Sequence, residues 1–308
     1  MRPAYLDPGV RATLERRASA ARERMSPCRL CPAECGARRL EGETGRCRTA
    51  AVANVSSAGP HFGEEAPLVG SNGSGTIFFS GCGLGCLFCQ NWETSRNRDG
   101  QPVAESGLAA IMLRLQEMGC ENINLVTPTH VVPHILGALP RAIDAGLRIP
   151  IVYNTGGYEQ LDTLRLLDGV VDIYMPDLKW MRPWVGREMA GAPEYTERAK
   201  KAILEMHRQV GDLRLDERGV AVRGLLVRHL VLPHGLAGSR AAFRFIARRI
   251  SRNTYVNVMD QYRPCGDAVD HAILGTRLTA EEYRRAVRAA AAEGLWRLDQ
   301  PAAHLGGL

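Results

Sequence analysis

Lysine is almost missing from this chain: Lys179, Lys200 and Lys201 are the only three among 39 basic residues. The bias reflects coding composition, and it makes each lysine a position to examine. No apolar run approaches the ~20 residues that a membrane helix needs, which argues against a helical span. The N-terminus, Met1-Arg2-Pro3-Ala4-Tyr5, has neither an apolar core nor a small-residue cleavage site, so no secretory signal is expected. The net charge of +6 comes without a basic tail or block, which disfavours nucleic acid as a partner. A mildly basic surface suits an acidic electron donor instead. The nine cysteines lack the even scatter of a secreted disulfide scaffold; most fall in two groups of metal-ligand spacing, as expected of a cytoplasmic protein in a reducing compartment.

The tighter group is Cys82-x3-Cys86-x2-Cys89, entered through Ser80-Gly81 and left through Gln90-Asn91-Trp92. Tetrahedral zinc or a fully capped cluster needs four protein ligands, and the remaining downstream cysteines, Cys120 and Cys265, stand alone at long distances. Three thiolates can hold an iron–sulfur cluster and leave one iron open. The second group, Cys28-x2-Cys31-x3-Cys35-x11-Cys47, has enough ligands to close a site of its own, as zinc or as an auxiliary cluster. Such a site suits a folding staple for a short region without a core.

From residue 76 onward, strand-like and helix-like segments alternate. Strands are expected at 76–80, 123–127, 150–154, 171–175, 225–232 and 255–259. Helices are expected near 105–119, 132–145, 159–167, 194–210, 239–252 and 279–293, with a further polar helix at 8–24; residues 48–75 read as a connector. Alternation of this kind calls for parallel strands with helical crossovers, hence an α/β fold: a partial (β/α)6 TIM-like barrel over 71–308, with an N-terminal cysteine-rich metal-binding extension over 1–70. Ligands of such sheets bind at the carboxyl ends of the strands. Those ends carry the cysteine loop, Thr127-Pro128-Thr129-His130, Asn154-Thr155-Gly156-Gly157, Asp177-Leu178-Lys179, Leu232-Pro233-His234-Gly235 and Asp260-Gln261-Tyr262-Arg263. In the fifth strand, Arg228 and His229 must face opposite sides, because neighbouring strand residues alternate.

The segment from Gly81 to Trp92, with Phe88 just before the last cysteine, resembles the cluster loop of radical S-adenosylmethionine (radical SAM) enzymes. Together with Gly42-Glu43-x-Gly45-x-Cys47, His61-Phe62-Gly63-Glu64-Glu65, Val126-Thr127-Pro128-Thr129-His130 and Gln261-Tyr262-Arg263-Pro264, it resembles an uncharacterised branch of the pyruvate formate-lyase-activating-enzyme homologues over about residues 26–265. That resemblance implies a [4Fe–4S] cluster on Cys82, Cys86 and Cys89, whose open iron is chelated by SAM. Reductive cleavage would then give a 5′-deoxyadenosyl radical that abstracts hydrogen. It also implies a SAM pocket drawn from Phe88, Thr127, Thr129, His130, Asn154, Thr155, Asp177, Lys179, His229 and Gln261, and a flavodoxin or ferredoxin-type reductant. The chain departs from the pattern in its second loop, where Thr127-Pro128-Thr129-His130 replaces the Gly-Gly-Glu that holds the SAM amino group. The substrate stays open between a glycyl radical enzyme and a small molecule or peptide; a zinc-stabilised nucleic-acid-binding protein is the reading from another class.

Overall fold

A computed structural model describes residues 2–96 and 99–299. Nine strands form one sheet: β1 (Ala53–His61), β2 (Ser74–Phe79), β3 (Gln101–Val103), β4 (Ile123–Val126), β5 (Ile151–Thr155), β6 (Ile173–Pro176), β7 (Arg214–Leu215), β8 (Ala221–Leu230) and β9 (Tyr255–Met259). The order is β3-β1-β2-β4-β5-β6-β8-β7, with β9 also on β8; among the described residues this path does not close. The six expected strands are β2, β4, β5, β6, β8 and β9. They lie side by side in chain order, every pair parallel. The chain is therefore α/β.

β1, β3 and β7 are antiparallel additions. β1 falls where a connector was expected. Its run Ala53-Asn54-Val55-Ser56-Ser57-Ala58-Gly59-Pro60-His61 is too poor in large apolar residues to announce a strand, and pairing with β2 supplies the order that its side chains do not. The expected helix over 8–24 is divided into Pro8–Arg11 and Leu14–Glu23. The helix at 239–252 ends at Phe245 in a wider turn over Ile246–Ile250.

Alternation along the strands divides the interior in two. Tyr153, Tyr174, Leu225 and Val227 face the helices and join the main core. Their neighbours Val152, Ile173, Met175 and Leu226 face the other way and form a second core with Leu213, Ala221 and Leu68. Leu68 comes from the short helix Ala66–Val69, so the segment after β1 plugs the inner face of the sheet. Counting on by two from Val152, Met175 and Leu226 gives Asn154, Asp177 and Arg228. The inner face thus passes from apolar packing to polar side chains at the carboxyl ends of the strands.

Candidate functional site

Those carboxyl ends and the cysteine loop enclose a cavity of about 350 Å³, inside the ~300–1,000 Å³ typical of small-molecule sites. Register explains one wall: Phe78, Val126 and Asn154 are lateral neighbours across β2, β4 and β5, and all three line the cavity. Thr127 follows at φ 58°, a left-handed conformation unusual for a β-branched residue, with its N–H donating to the Asn154 carbonyl at 2.8 Å. Backbone held this way clusters at ligand sites.

Cys82, Cys86 and Cys89 all line the same cavity. The loop is fixed through its backbone: Gly81 N–H donates to the Thr94 carbonyl at 3.1 Å, Leu87 N–H to Met189 at 2.9 Å, and Arg96 Nη2 to the Cys86 carbonyl at 2.8 Å. A Cβ at Gly81, whose φ is 91°, would overlap the Cys47 carbonyl, so this turn needs glycine. Phe88 is buried edge-on to Trp180 and Tyr262. The Cys82 Sγ accepts the Leu84 N–H at 3.4 Å and the Cys89 Sγ accepts the Ser95 hydroxyl at 3.5 Å. Burial pushes the Cys86 thiol up to about 12 and raises Cys82, with Lys179 opposing in both, so metal ligation is what would remove these protons.

At the centre of the polar wall, Asp177 accepts from Lys179 Nζ at 2.5 Å and from Arg228 Nε at 2.8 Å. Arg228 Nη2 also donates to Asn154 Oδ1 at 2.6 Å, and its Nη1 lies 3.7 Å from Glu64. Burial opposes charge on Asp177, but Arg228 and Lys179 outweigh it and hold the carboxyl below its usual range. Glu64 is raised instead, because burial outweighs Arg228. Tyr195 pins this segment: its hydroxyl donates to the Asp177 carbonyl at 2.8 Å and accepts the Lys179 N–H at 3.0 Å.

Of the residues expected from sequence, Phe88, Thr127, Asn154, Thr155, Asp177, Lys179 and Gln261 line the cavity with the three cysteines. Thr129, His130 and His229 do not. The Thr129 hydroxyl is turned to buried Glu159 at 2.5 Å; Thr155 and Tyr153 donate to the same carboxyl, which burial pushes up to about 7 against these hydrogen bonds. His130 lies behind the cysteine loop, its Nε2 2.9 Å from the Ser80 carbonyl, and burial drops it to about 3. His229 is held between the Leu178 carbonyl and Ser239, packed on Phe243, while its neighbour Arg228 takes the cavity side.

Sequence reasoning gave no site role to Arg228, His61 or Glu64, all of which line the cavity. Alternation offered Arg228 and His229 as equals. His61 and Glu64 stood in a motif without a role, because nothing local shows that the segment after β1 folds under the strand ends.

Among the described residues, no three His, Cys, Asp or Glu side chains converge on one point as a single metal ion requires. Cluster ligands need not converge, since each thiolate takes a different iron. Three thiols lining one cavity, with Lys179, Asp177 and Arg228 among its other lining residues, fit a cluster with an accessible iron.

No protein-family model matches the chain. It is similar to the uncharacterized protein MJ0674 of Methanocaldococcus jannaschii, 31% identical over 296 residues that cover 93% of this chain and 80% of that protein. At that identity and coverage, the chain belongs to the same family as MJ0674.

Proposed function

We propose that this protein is a radical SAM enzyme of the pyruvate formate-lyase-activating-enzyme type, built on a partial (β/α)6 barrel with an N-terminal cysteine-rich extension. The observation that carries the reading is the placement of Cys82, Cys86 and Cys89 on the wall of the cavity that also presents Asp177, Lys179 and Arg228. When bound, a [4Fe–4S] cluster and SAM supply reductive cleavage of a carbon–sulfur bond, giving methionine and a 5′-deoxyadenosyl radical that abstracts hydrogen.

The chain's own part is to bind, orient and exclude water. Cys82, Cys86 and Cys89 would hold such a cluster at the cavity, with Phe88 closing the loop on its apolar side. Lys179 and Arg228 bring positive charge for a carboxylate, and Asp177 keeps both cations in place. Asn154, Thr155 and Gln261 offer hydrogen bonds to a nucleoside. The carboxyl group that the second loop lacks has a substitute in Glu64, which reaches the cavity from the segment after β1 and can meet an ammonium group.

The reductant is a low-potential donor of the flavodoxin or ferredoxin type. The radical serves either a glycyl radical enzyme or a small molecule or peptide, and deuterium transfer from labelled candidates into 5′-deoxyadenosine identifies which. Anaerobically reconstituted protein is expected to be brown and to yield 5′-deoxyadenosine with dithionite and SAM. Cys86→Ala is expected to abolish that yield; an unchanged yield, or zinc in place of iron, overturns the reading.

A further inference from the structure

Behind the cavity wall lies a second set of thiols. Cys28, Cys31 and Cys47 are buried and Cys35 is exposed, and none is in a disulfide. Arg39 Nη1 points to the Cys28 Sγ of this set at 3.9 Å, as the Leu84 N–H points to the Cys82 Sγ of the other at 3.4 Å.

The counter-charge is already in place. Arg39 is wholly buried, and its hydrogen-bond partners among the described residues are the Ala50 and His130 carbonyls and the Cys28 Sγ at 3.9 Å, with no carboxylate. A buried guanidinium without an anion is costly, and the available anion here is sulfur. The glycines make room for it: a Cβ at Gly45 would overlap the Cys35 Sγ, and one at Gly83, in the other cysteine loop, would lie 3.2 Å from the Cys31 Sγ.

Zinc and an iron–sulfur cluster differ in what they ask of four cysteines. A zinc ion draws all four sulfurs to one point at about 2.3 Å, commonly from paired ligands. A cluster spreads them over several irons and suits three ligands in one run with a fourth remote. The spacing here is three close and one remote.

We propose that Cys28, Cys31, Cys35 and Cys47 ligate a second [4Fe–4S] cluster, with buried Arg39 as its counter-ion, packed against the loop that carries Cys82. The two sets share a wall: Arg46 Nη2, between Gly45 and Cys47, also donates to the Leu84 carbonyl at 3.2 Å. This assignment stands on residues outside the cavity and does not require the reading given for it.

Full-length protein, purified without oxygen and reconstituted, is expected to hold about eight irons per chain. The Cys82→Ala/Cys86→Ala/Cys89→Ala variant is expected to keep about four irons with matching sulfide, and Cys28→Ser/Cys31→Ser in the otherwise unchanged chain to fall from about eight to about four. The reduced protein should show an electron paramagnetic resonance spectrum split by coupling between clusters, collapsing to a simple signal in either variant. Arg39→Gln, which removes a cation beside the thiolates, should lower the midpoint potential of the cluster left in the triple variant.

Stoichiometric zinc at these cysteines, or wild-type iron that vanishes completely in the triple variant while Cys28→Ser/Cys31→Ser keeps it all, overturns the proposal and leaves the cavity reading intact. Iron unchanged in the triple variant but lost from Cys28→Ser/Cys31→Ser does the reverse. Because Cys28→Ser/Cys31→Ser is read in a chain with the cavity cysteines intact, misfolding of the triple variant leaves the iron count decisive.

Discussion

Replacing Asp177 by Asn tests how the polar wall of the cavity is held together. The substitution keeps shape and removes one charge, leaving Lys179 and Arg228, each 17% exposed, beside each other without the carboxylate that contacts both at 2.5 and 2.8 Å. Breaking a buried ion pair by removing one partner costs roughly 3–5 kcal/mol, since the surviving charge stays desolvated. Arg228 keeps Asn154 at 2.6 Å and Glu64 at 3.7 Å, which places the expected loss near the lower bound, about 3 kcal/mol. For a chain of this size that corresponds to a fall in melting temperature of roughly 5 °C. The assay is urea unfolding of Asp177→Asn, Arg228→Met and the double variant, with coupling read from the cycle. The double variant is expected to lose less than the sum of the singles, by about 1–3 kcal/mol. The pH dependence has a defined sign: the folded carboxyl is lowered, so its contribution is present at neutral pH and lost only as pH falls below the ordinary carboxylate range. A loss under about 1 kcal/mol in Asp177→Asn, or strict additivity, would refute the claim that this carboxylate holds the two cations.

Glu159 gives the opposite sign. Its folded value, about 7, lies above the 4.5 of the free group, so stability falls as pH rises between them, by up to about 3 kcal/mol. Glu159→Gln is expected to flatten that slope in denaturation curves across the window, and an unchanged slope counts against the burial argument. Thr127→Gly should relieve left-handed strain of about 1 kcal/mol while lowering the 5′-deoxyadenosine yield; a destabilisation above about 1 kcal/mol rejects the strain. Gly45→Ala forces a Cβ onto the Cys35 Sγ and is expected to cost about 1–3 kcal/mol and to reduce iron at the N-terminal cysteines, measured by metal analysis after anaerobic purification.

The six parallel strands were legible because each is a short apolar or β-branched run followed by a helix of clear period, and the observed limits differ from the expected ones by only a few residues, most at the start of β8. The Cys82-x3-Cys86-x2-Cys89 spacing was legible because ligands close in sequence are close in space. β1 was not, since its small and polar residues acquire a strand conformation only by pairing with β2. For the same reason His61 and Glu64 were seen as a motif but not as cavity residues.

What the sequence determined by itself is the α/β order, the cavity end of the sheet and the identity of its thiols, because these follow from local periodicity and spacing. Tertiary structure decided which member of each polar pair turns inward. Arg228 faces the cavity where His229 faces Phe243, and Thr127 lines it where Thr129 turns to Glu159. A strand's period fixes that two neighbours part company, but only the packing of helix Ser239–Phe245 on one side and of the segment after β1 on the other says which face is dry.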